Sequence, residues 1–336
     1  MKKSIILVLA FTLVCVFALC ACTQQPAADT PATEEEPAPS ESAATPEAGD
    51  EPAEATQAAA DNSSLPALQI ASKPMTEQLI LVEMLKAVIE QDTEYTVELT
   101  KGIGGGTSNI QPAMEKGDFD MYPEYTSTGW EFVLKHEGER LSDDELFAQL
   151  QQEYQDQYGF EWVGKYGFGD QFGLAVKKEI ADANNLVTYS DLAAITPDLI
   201  FAAEPDFYER DDGYSALCEE YGYNFKSTKD IDIGLKYTAI NSGEVDVIDI
   251  FTTDGQLAVA DVTVLQDDKS FFQSAYCYTV VRQDTLAQYP GLKEALMKMD
   301  GIVNEEEMTQ MNYDVDVEGY DEKEVALAFL TAKGII

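Results

Sequence analysis

From Leu65 onward the chain alternates short strand-like segments with longer stretches of helical periodicity, and this alternation restricts the fold more than any other feature. Strands that alternate with helices build an α/β sheet with helices packed on its faces. Ala67–Ala71 predicts a short buried strand, and Thr76–Glu90 a helix with Leu81, Met84, Leu85, Val88 and Ile89 near helical spacing. Tyr95–Leu99 alternates as a strand, and the cluster Gly104-Gly105-Gly106 turns the chain into a helix expected over Ser108–Lys116. Ser142-Asp143-Asp144-Glu145 has the spacing of a capping box and opens a helix to about Tyr158. Further strands are expected at Gln171–Val176, Asp198–Ala203 and Val245–Ile250, and a last helix from Glu322 to about Thr331.

One internal correspondence organises these elements. Ala113–Gly129 aligns without gaps on Ala239–Gly255, with identities at Ala113/Ala239, Gly117/Gly243, Asp120/Asp246, Thr126/Thr252 and Gly129/Gly255. Each copy reads as a helix end, a glycine stop, a short strand, an aromatic (Tyr125 or Phe251) followed by threonine, and a glycine turn. Open α/β sheets bind ligands outside the carboxyl ends of their strands. Two copies of one such unit imply two lobes, each offering an aromatic and a polar group to a shared cleft.

The N-terminal part reads differently. Lys2 and Lys3 precede the apolar run Ile5–Leu19, too short for a typical membrane span and patterned as an export signal. It ends in Leu19-Cys20-Ala21-Cys22, which resembles the bacterial lipobox; the resemblance implies a signal over 1–21 and a lipid on Cys22 as the mature N-terminus. Residues 23–64 hold 10 acidic residues, 6 Pro and 12 Ala, without Lys, Arg or aromatics. Such a segment cannot bury enough apolar surface to offset its ordering entropy, so 22–64 is expected to be an extended, solvated tether.

The charge excludes other functions. Lys+Arg number 21 against 62 Asp+Glu, a net charge of -41, and residues 65–336 alone carry -33. A surface this acidic repels phosphate backbones, so no nucleic-acid partner is expected. His136 is the single histidine, in the polar segment Lys135–Gly138, and reads as a solvated loop residue. No Gly-x-Ser-x-Gly, His-Glu-x-x-His or Cys-x-x-Cys motif is present, and Gly102–Ser108 lacks the Gly-Lys-Ser/Thr ending of a phosphate loop. Nothing here argues for an enzyme, a metal site or a cofactor. Cys218 and Cys277 could pair in an exported protein but read better as buried free thiols. The aromatics are more suggestive: 17 Tyr, 15 Phe and 2 Trp, several at expected strand ends. Several rings around one methylated ammonium select a cation that sheds water easily, at roughly 0.5–2 kcal/mol per ring.

Ser72-Lys73-Pro74-Met75-Thr76-Glu77-Gln78, Gly105-Gly106-Thr107-Ser108, Tyr122-Pro123-Glu124-Tyr125-Thr126 and Thr252-Thr253-Asp254-Gly255 resemble the glycine betaine/carnitine/choline substrate-binding proteins of ABC importers. The likeness extends in order over essentially all of 67–336 and includes Asp267-Asp268-Lys269, Phe271-Phe272 and Met308-x-x-x-Asn312-Tyr313. It implies a type II periplasmic-binding-protein fold, two α/β lobes around a ligand cleft, with lobe 1 over 65–175 and 279–336 and lobe 2 over 176–278. It implies further that the protein acts as a monomer on the outer face of the bacterial cytoplasmic membrane, with a permease and its ATPase as partners.

In that family an aromatic cage holds a quaternary ammonium, while basic and hydroxyl groups hold a carboxylate. By resemblance Tyr125, Phe172 and Phe251 fall on cage positions, Phe172 in Asp170-Gln171-Phe172, of which Asp170 is also a candidate ligand-binding residue. Thr128 matches a carboxylate-binding hydroxyl, and Arg210 the carboxylate-binding arginine. The fourth cage position falls on Ala275 or, with a one-residue shift, Tyr276. Lys73 is the candidate for a remaining polar contact, with Gln78 behind it. Phenylalanine at 172 and 251 keeps a π face but loses a hydroxyl, so choline, carnitine, a bulkier methylated amine or a non-ammonium ligand all remain open. The rival readings are an amino-acid or other zwitterion receptor of the same fold, and a sensory or adhesive surface lipoprotein. Phe172 and Phe251 can also be read as strand-end core, and Arg210 as an ion pair with Asp211 or Asp212.

Overall fold

The computed structural model describes residues 65–136 and 141–336; the expected signal, Cys22 and the tether lie outside the described residues. Ten strands form there: β1 (Leu68–Ala71), β2 (Val97–Thr100), β3 (Met121–Tyr125), β4 (Phe160–Val163), β5 (Phe172–Lys177), β6 (Ile200–Ala203), β7 (Ser227–Asp230), β8 (Val247–Phe251), β9 (Val262–Val264) and β10 (Cys277–Arg282). They make two five-stranded sheets, ordered β2-β1-β3-β10-β4 and β7-β6-β8-β5-β9. In the first, β1 runs parallel to β2 and β3 while β10 is antiparallel to β3 and β4. In the second, β6 is parallel to β7 and β8 while β5 is antiparallel to β8 and β9.

The two orders are one pattern used twice, and the fourth strand of each sheet comes from chain arriving from the other lobe. β3 and β8 are buried along their whole length, as strands covered by helices on both faces must be. Met121 and Tyr125 face a core with helix Thr76–Asp92, and Tyr122 faces a separate core with Trp130, Tyr154 and Trp162. Val176 and Tyr278, the expected lobe change-overs, lie inside β5 and β10; each of those strands belongs whole to one sheet.

The internal correspondence falls on equivalent elements, and its identities have physical reasons. Helices Thr107–Lys116 and Lys236–Ser242 both stop at a left-handed glycine, Gly117 and Gly243, each at φ 81°. The following N–H, of Asp118 or Glu244, donates to the Ala113 or Ala239 carbonyl at 2.9 and 3.0 Å, the helix stop that a glycine in this conformation permits. Asp120 and Asp246 each accept, through Oδ2, the backbone N–H of a residue at the start of the neighbouring parallel strand, Gln69 at 2.8 Å and Ile200 at 2.9 Å. Thr126 and Thr252 each pair with the connection from the other lobe, their hydroxyls accepting the N–H of Tyr276 at 3.1 Å and of Gln171 at 3.0 Å.

Those connections, residues 164–171 and 265–276, run side by side between the sheets. Gly169 bridges Tyr276 in antiparallel fashion, and the Asp170 N–H donates to the Ala275 carbonyl at 2.9 Å. Cys218 and Cys277 are both free, one half-buried in helix Tyr214–Tyr221 and the other buried in β10. His136 departs from the expected solvated loop: it stacks on Trp130, ring centroids 3.6 Å apart, and its Nε2 lies 2.9 Å from Glu153. No helix of the described residues is long and apolar enough to cross a membrane.

Candidate functional site

Tyr125 and Phe251 close the equivalent strands β3 and β8, and Phe172 opens β5 directly opposite Phe251 in the ladder. All three rings line one cavity of about 430 Å³ between the lobes. Phe172 and Phe251 have centroids 4.8 Å apart, and Phe172 is backed by Phe207 at 5.1 Å. Lys73, Thr128, Asp170 and Arg210 line the same cavity, so it gathers seven of the nine residues expected at the site. The turn Gly102–Gly106 and Thr107 form its lobe 1 rim, and Thr128 enters from a π-helical turn, Thr128–Val133.

Each of these rings already has a protein cation beside it. Lys73 Nζ is 4.8 Å from the Tyr125 centroid, the Arg210 guanidinium 5.3 Å from Phe172, and Lys236 Nζ 4.5 Å from Phe251. Each cation is matched by a carboxylate. Lys73 pairs with wholly buried Glu124, which also accepts from Thr107 Oγ1 at 2.6 Å. Arg210 holds Asp212 through Nε, at 3.0 Å, and Nη2; Lys236 pairs with Asp254 at 3.2 Å. Buried cations of this kind persist because the paired carboxylate offsets desolvation. Arg210 also reaches across the cleft: its guanidinium lies 5.0 Å from the lobe 1 ring of Phe132, and nearby Lys135 pairs with Asp211 at 2.9 Å.

Behind Tyr125 lies a second layer. Its hydroxyl donates to Glu77 and accepts from Gln78 Nε2 at 3.0 Å, which places Gln78 behind the ring and outside the cavity lining. Glu77 also accepts from Thr253 Oγ1 of lobe 2 at 2.7 Å, so one carboxyl group joins the two lobes. Burial pushes the Glu77 pKa up to about 7, with Asp254 adding to the rise, against hydrogen bonds from Tyr125, Thr253 and Asn312 that lower it. Burial, then the charges of Glu77 and Asp254, hold the Asp170 carboxyl well above the ordinary range.

Tyr276 is not in the cavity, and neither is Ala275. Thr126 and Thr252 pair identically with Tyr276 and Gln171, so Tyr276 occupies the place equivalent to Gln171, and Ala275 that of Asp170. Side chains alternate along an extended segment; Gln171 and Tyr276 accordingly line a separate cavity of about 240 Å³ with Thr252 and Glu305. The Tyr276 ring is covered by Lys165 Nζ at 3.4 Å. The fourth aromatic wall is therefore missing from the main cavity. Sequence reasoning overlooked an acidic wall from lobe 2, Glu204 and Asp206 after β6 and Asp230 and Asp232 at the end of β7. The available signal was position: Glu204 directly follows a strand read from the sequence.

Comparison with known proteins agrees with this architecture. Residues 66–332 match the family described as the substrate binding domain of ABC-type glycine betaine transport systems. The ergothioneine transport permease/ergothioneine binding protein of Helicobacter pylori (strain G27) is 38% identical over 268 residues, 80% of this chain. The chain spans only 48% of that protein's length. The carnitine transport binding protein of Listeria monocytogenes is 30% identical over 270 residues, 80% of this chain and 87% of that protein. A crystal structure of a glycine betaine/carnitine/choline ABC transporter protein superposes with TM-score 0.63 at 31% identity, covering 80% of this chain and 99% of the other.

Proposed function

The chain belongs to the family of substrate-binding domains of ABC-type glycine betaine transport systems, and from that premise we propose that it is the lipid-anchored receptor for a quaternary ammonium zwitterion of the betaine, carnitine or ergothioneine kind. The observation that carries the reading is the convergence of Tyr125, Phe172 and Phe251 on one inter-lobe cavity beside buried Arg210. The rings accept the methylated cation, whose weak hydration makes its transfer from water inexpensive and whose charge favours the π faces. Arg210 meets the carboxylate: Nε and Nη2 are held by Asp212, while Nη1 lies 4.0 Å from the Asp206 carboxylate. Thr128 and Lys73 stand on the lobe 1 side.

Lobe closure brings the two halves of the site together and excludes water, which strengthens the cation–ring attraction. Phe132 against Arg210 and Lys135 against Asp211 hold the lobes in that state, the form a permease would recognise. Cys22 would fix the receptor at the membrane surface through its lipid. The cavity, at about 430 Å³, is roomy for glycine betaine and accommodates a larger body. A thermal-shift series with glycine betaine, choline, carnitine and ergothioneine tests the reading. A ligand at 100 times its Kd adds about 2.7 kcal/mol to stability. A shift with at least one methylated ammonium is expected; shifts with common amino acids alone would overturn the proposal.

A further inference from the structure

Arg210 does not stand in the cavity as a free receptor for a carboxylate. It follows the short helix Pro205–Glu209 after β6 and is buried against the cavity. Two carboxylates of its own lobe are already beside it. Asp212 takes Nε and Nη2, while Asp206, one helical turn back, lies 4.0 Å from Nη1. That distance is too long for a hydrogen bond, so Asp206 leaves the Nη1 donors unoccupied and acts on them through its charge. Asp206 lines the cavity, and the charges around it come from both lobes. Burial raises its pKa; Arg210 and then Lys73 of lobe 1 lower it, and Glu204 and Glu124 raise it further. Lys73, the other cation of the lining, is taken up by buried Glu124. Each cation of the lining is thus already matched by a carboxylate, with Asp206 in addition.

The two ends of a betaine feel this arrangement with opposite signs. Its trimethylammonium end is attracted by every nearby carboxylate. Its own carboxylate, brought to Nη1, becomes the third anion around one guanidinium and meets Asp206 at close range. Choline carries the same trimethylammonium end with a hydroxyl in place of the carboxylate, so it meets the attraction alone. We propose that Asp206 determines the charge specificity of the site: its carboxylate competes with that of the ligand for Arg210 and narrows the advantage of a zwitterion over a cation such as choline; this rests on the quaternary-ammonium reading above. Asp206 also stands in the first turn of its helix, where an acidic side chain favours the exposed backbone N–H groups. Losing that structural role would change the affinity for all ligands alike, whereas losing a competitor for Arg210 moves choline and the betaines in opposite directions.

Calorimetric titration of the full chain with choline, glycine betaine and carnitine, at pH 8 to keep Asp206 ionised, tests the assignment. Asp206→Asn should strengthen glycine betaine and carnitine about tenfold and weaken choline, the order expected for one charge removed a few ångströms away at a partly exposed position. Asp206→Ala should act in the same direction and serves if the asparagine variant does not fold. Asp206→Glu, which keeps the charge, should hold the ratio of affinities near the wild-type value. Glu209→Gln removes an exposed charge from the same helix, outside the cavity lining, and should leave the ratio within about twofold. An unchanged ratio in Asp206→Asn, through equal losses or no loss, overturns the assignment and leaves the receptor reading standing, as does a shift towards choline or an equal shift in Glu209→Gln. Binding of none of the three compounds by either protein overturns the assignment, and an empty thermal-shift series beside it overturns the receptor reading as well.

Discussion

Glu77 should make the folded protein lose stability as the solution becomes alkaline, and Glu77→Gln should remove that part of the loss. Its carboxyl is buried where the lobes meet, and its pKa rises from an ordinary 4.5 to about 7. The folded state thus binds this proton more tightly than the unfolded chain. The associated stabilisation is fully present below the unfolded value of 4.5 and disappears as pH climbs through about 7. At about 1.4 kcal/mol per pKa unit, the rise corresponds to about 3 kcal/mol. For a domain of this size that is a fall in Tm of roughly 6 °C or more. Asp170, raised in the same direction, adds its own loss and remains in the variant. Carboxylates held below their ordinary range, such as Asp284 beside Arg282 and Glu307 beside Lys333, act with the opposite sign and in more acidic solution. Urea melts of both proteins at pH 5 and pH 8 measure the difference. The wild-type protein should lose about 2.5 kcal/mol more than Glu77→Gln over that interval, the rest of the loss lying below pH 5. Parallel losses would refute the reasoning and mean that Glu77 ionises freely, with the Tyr125 and Thr253 hydrogen bonds stabilising its charge.

Tyr125→Ala should weaken a methylated ammonium ligand at least about tenfold by removing one cage ring, and calorimetry reporting unchanged affinity would remove Tyr125 from the site. Arg210→Ala should weaken carnitine or glycine betaine while sparing choline, which has no carboxylate; equal losses would assign Arg210 to lobe contact through Phe132. Gly255→Ala would place a Cβ 2.3 Å from the Tyr313 backbone nitrogen, so chemical melts should show a loss of about 1–3 kcal/mol. An unchanged midpoint there would mean that helix Glu305–Asp316 yields to the added methyl.

The elements read from sequence were those whose signals are local. The capping box at Ser142 and Glu145 forms, and the strands expected near 171, 198 and 245 start within two residues of the observed ones. β4, β7, β9 and β10 escaped notice. β10 in particular pairs with β3 and β4, strands more than a hundred residues away in the chain, and no local pattern announces such partners. Within the site, Tyr125 and Phe251 were legible because an internal repeat set them at equivalent strand ends. Tyr276 misled because one position along an extended segment reverses the direction of the side chain. Glu204 and Asp206 were hidden for a compositional reason: in a chain with 62 acidic residues, two more after a strand do not stand out. Only the enclosure around them separates them from carboxylates that face water.

The passage of the chain from one sheet to the other and back also dictates an order of assembly. Every strand of the β7-β6-β8-β5-β9 sheet comes from the unbroken stretch 172–264, so that half can complete itself as soon as it has been synthesised and exported. The other half begins earlier and finishes later. Until residues 277–282 arrive, β3 and β4 have no strand between them, and both present open edges of the kind that invite misplaced pairing. The protein should therefore mature from its middle outwards, with β10 as the closing piece. A nascent chain halted after residue 276 would hold one finished sheet and one waiting for its fourth strand.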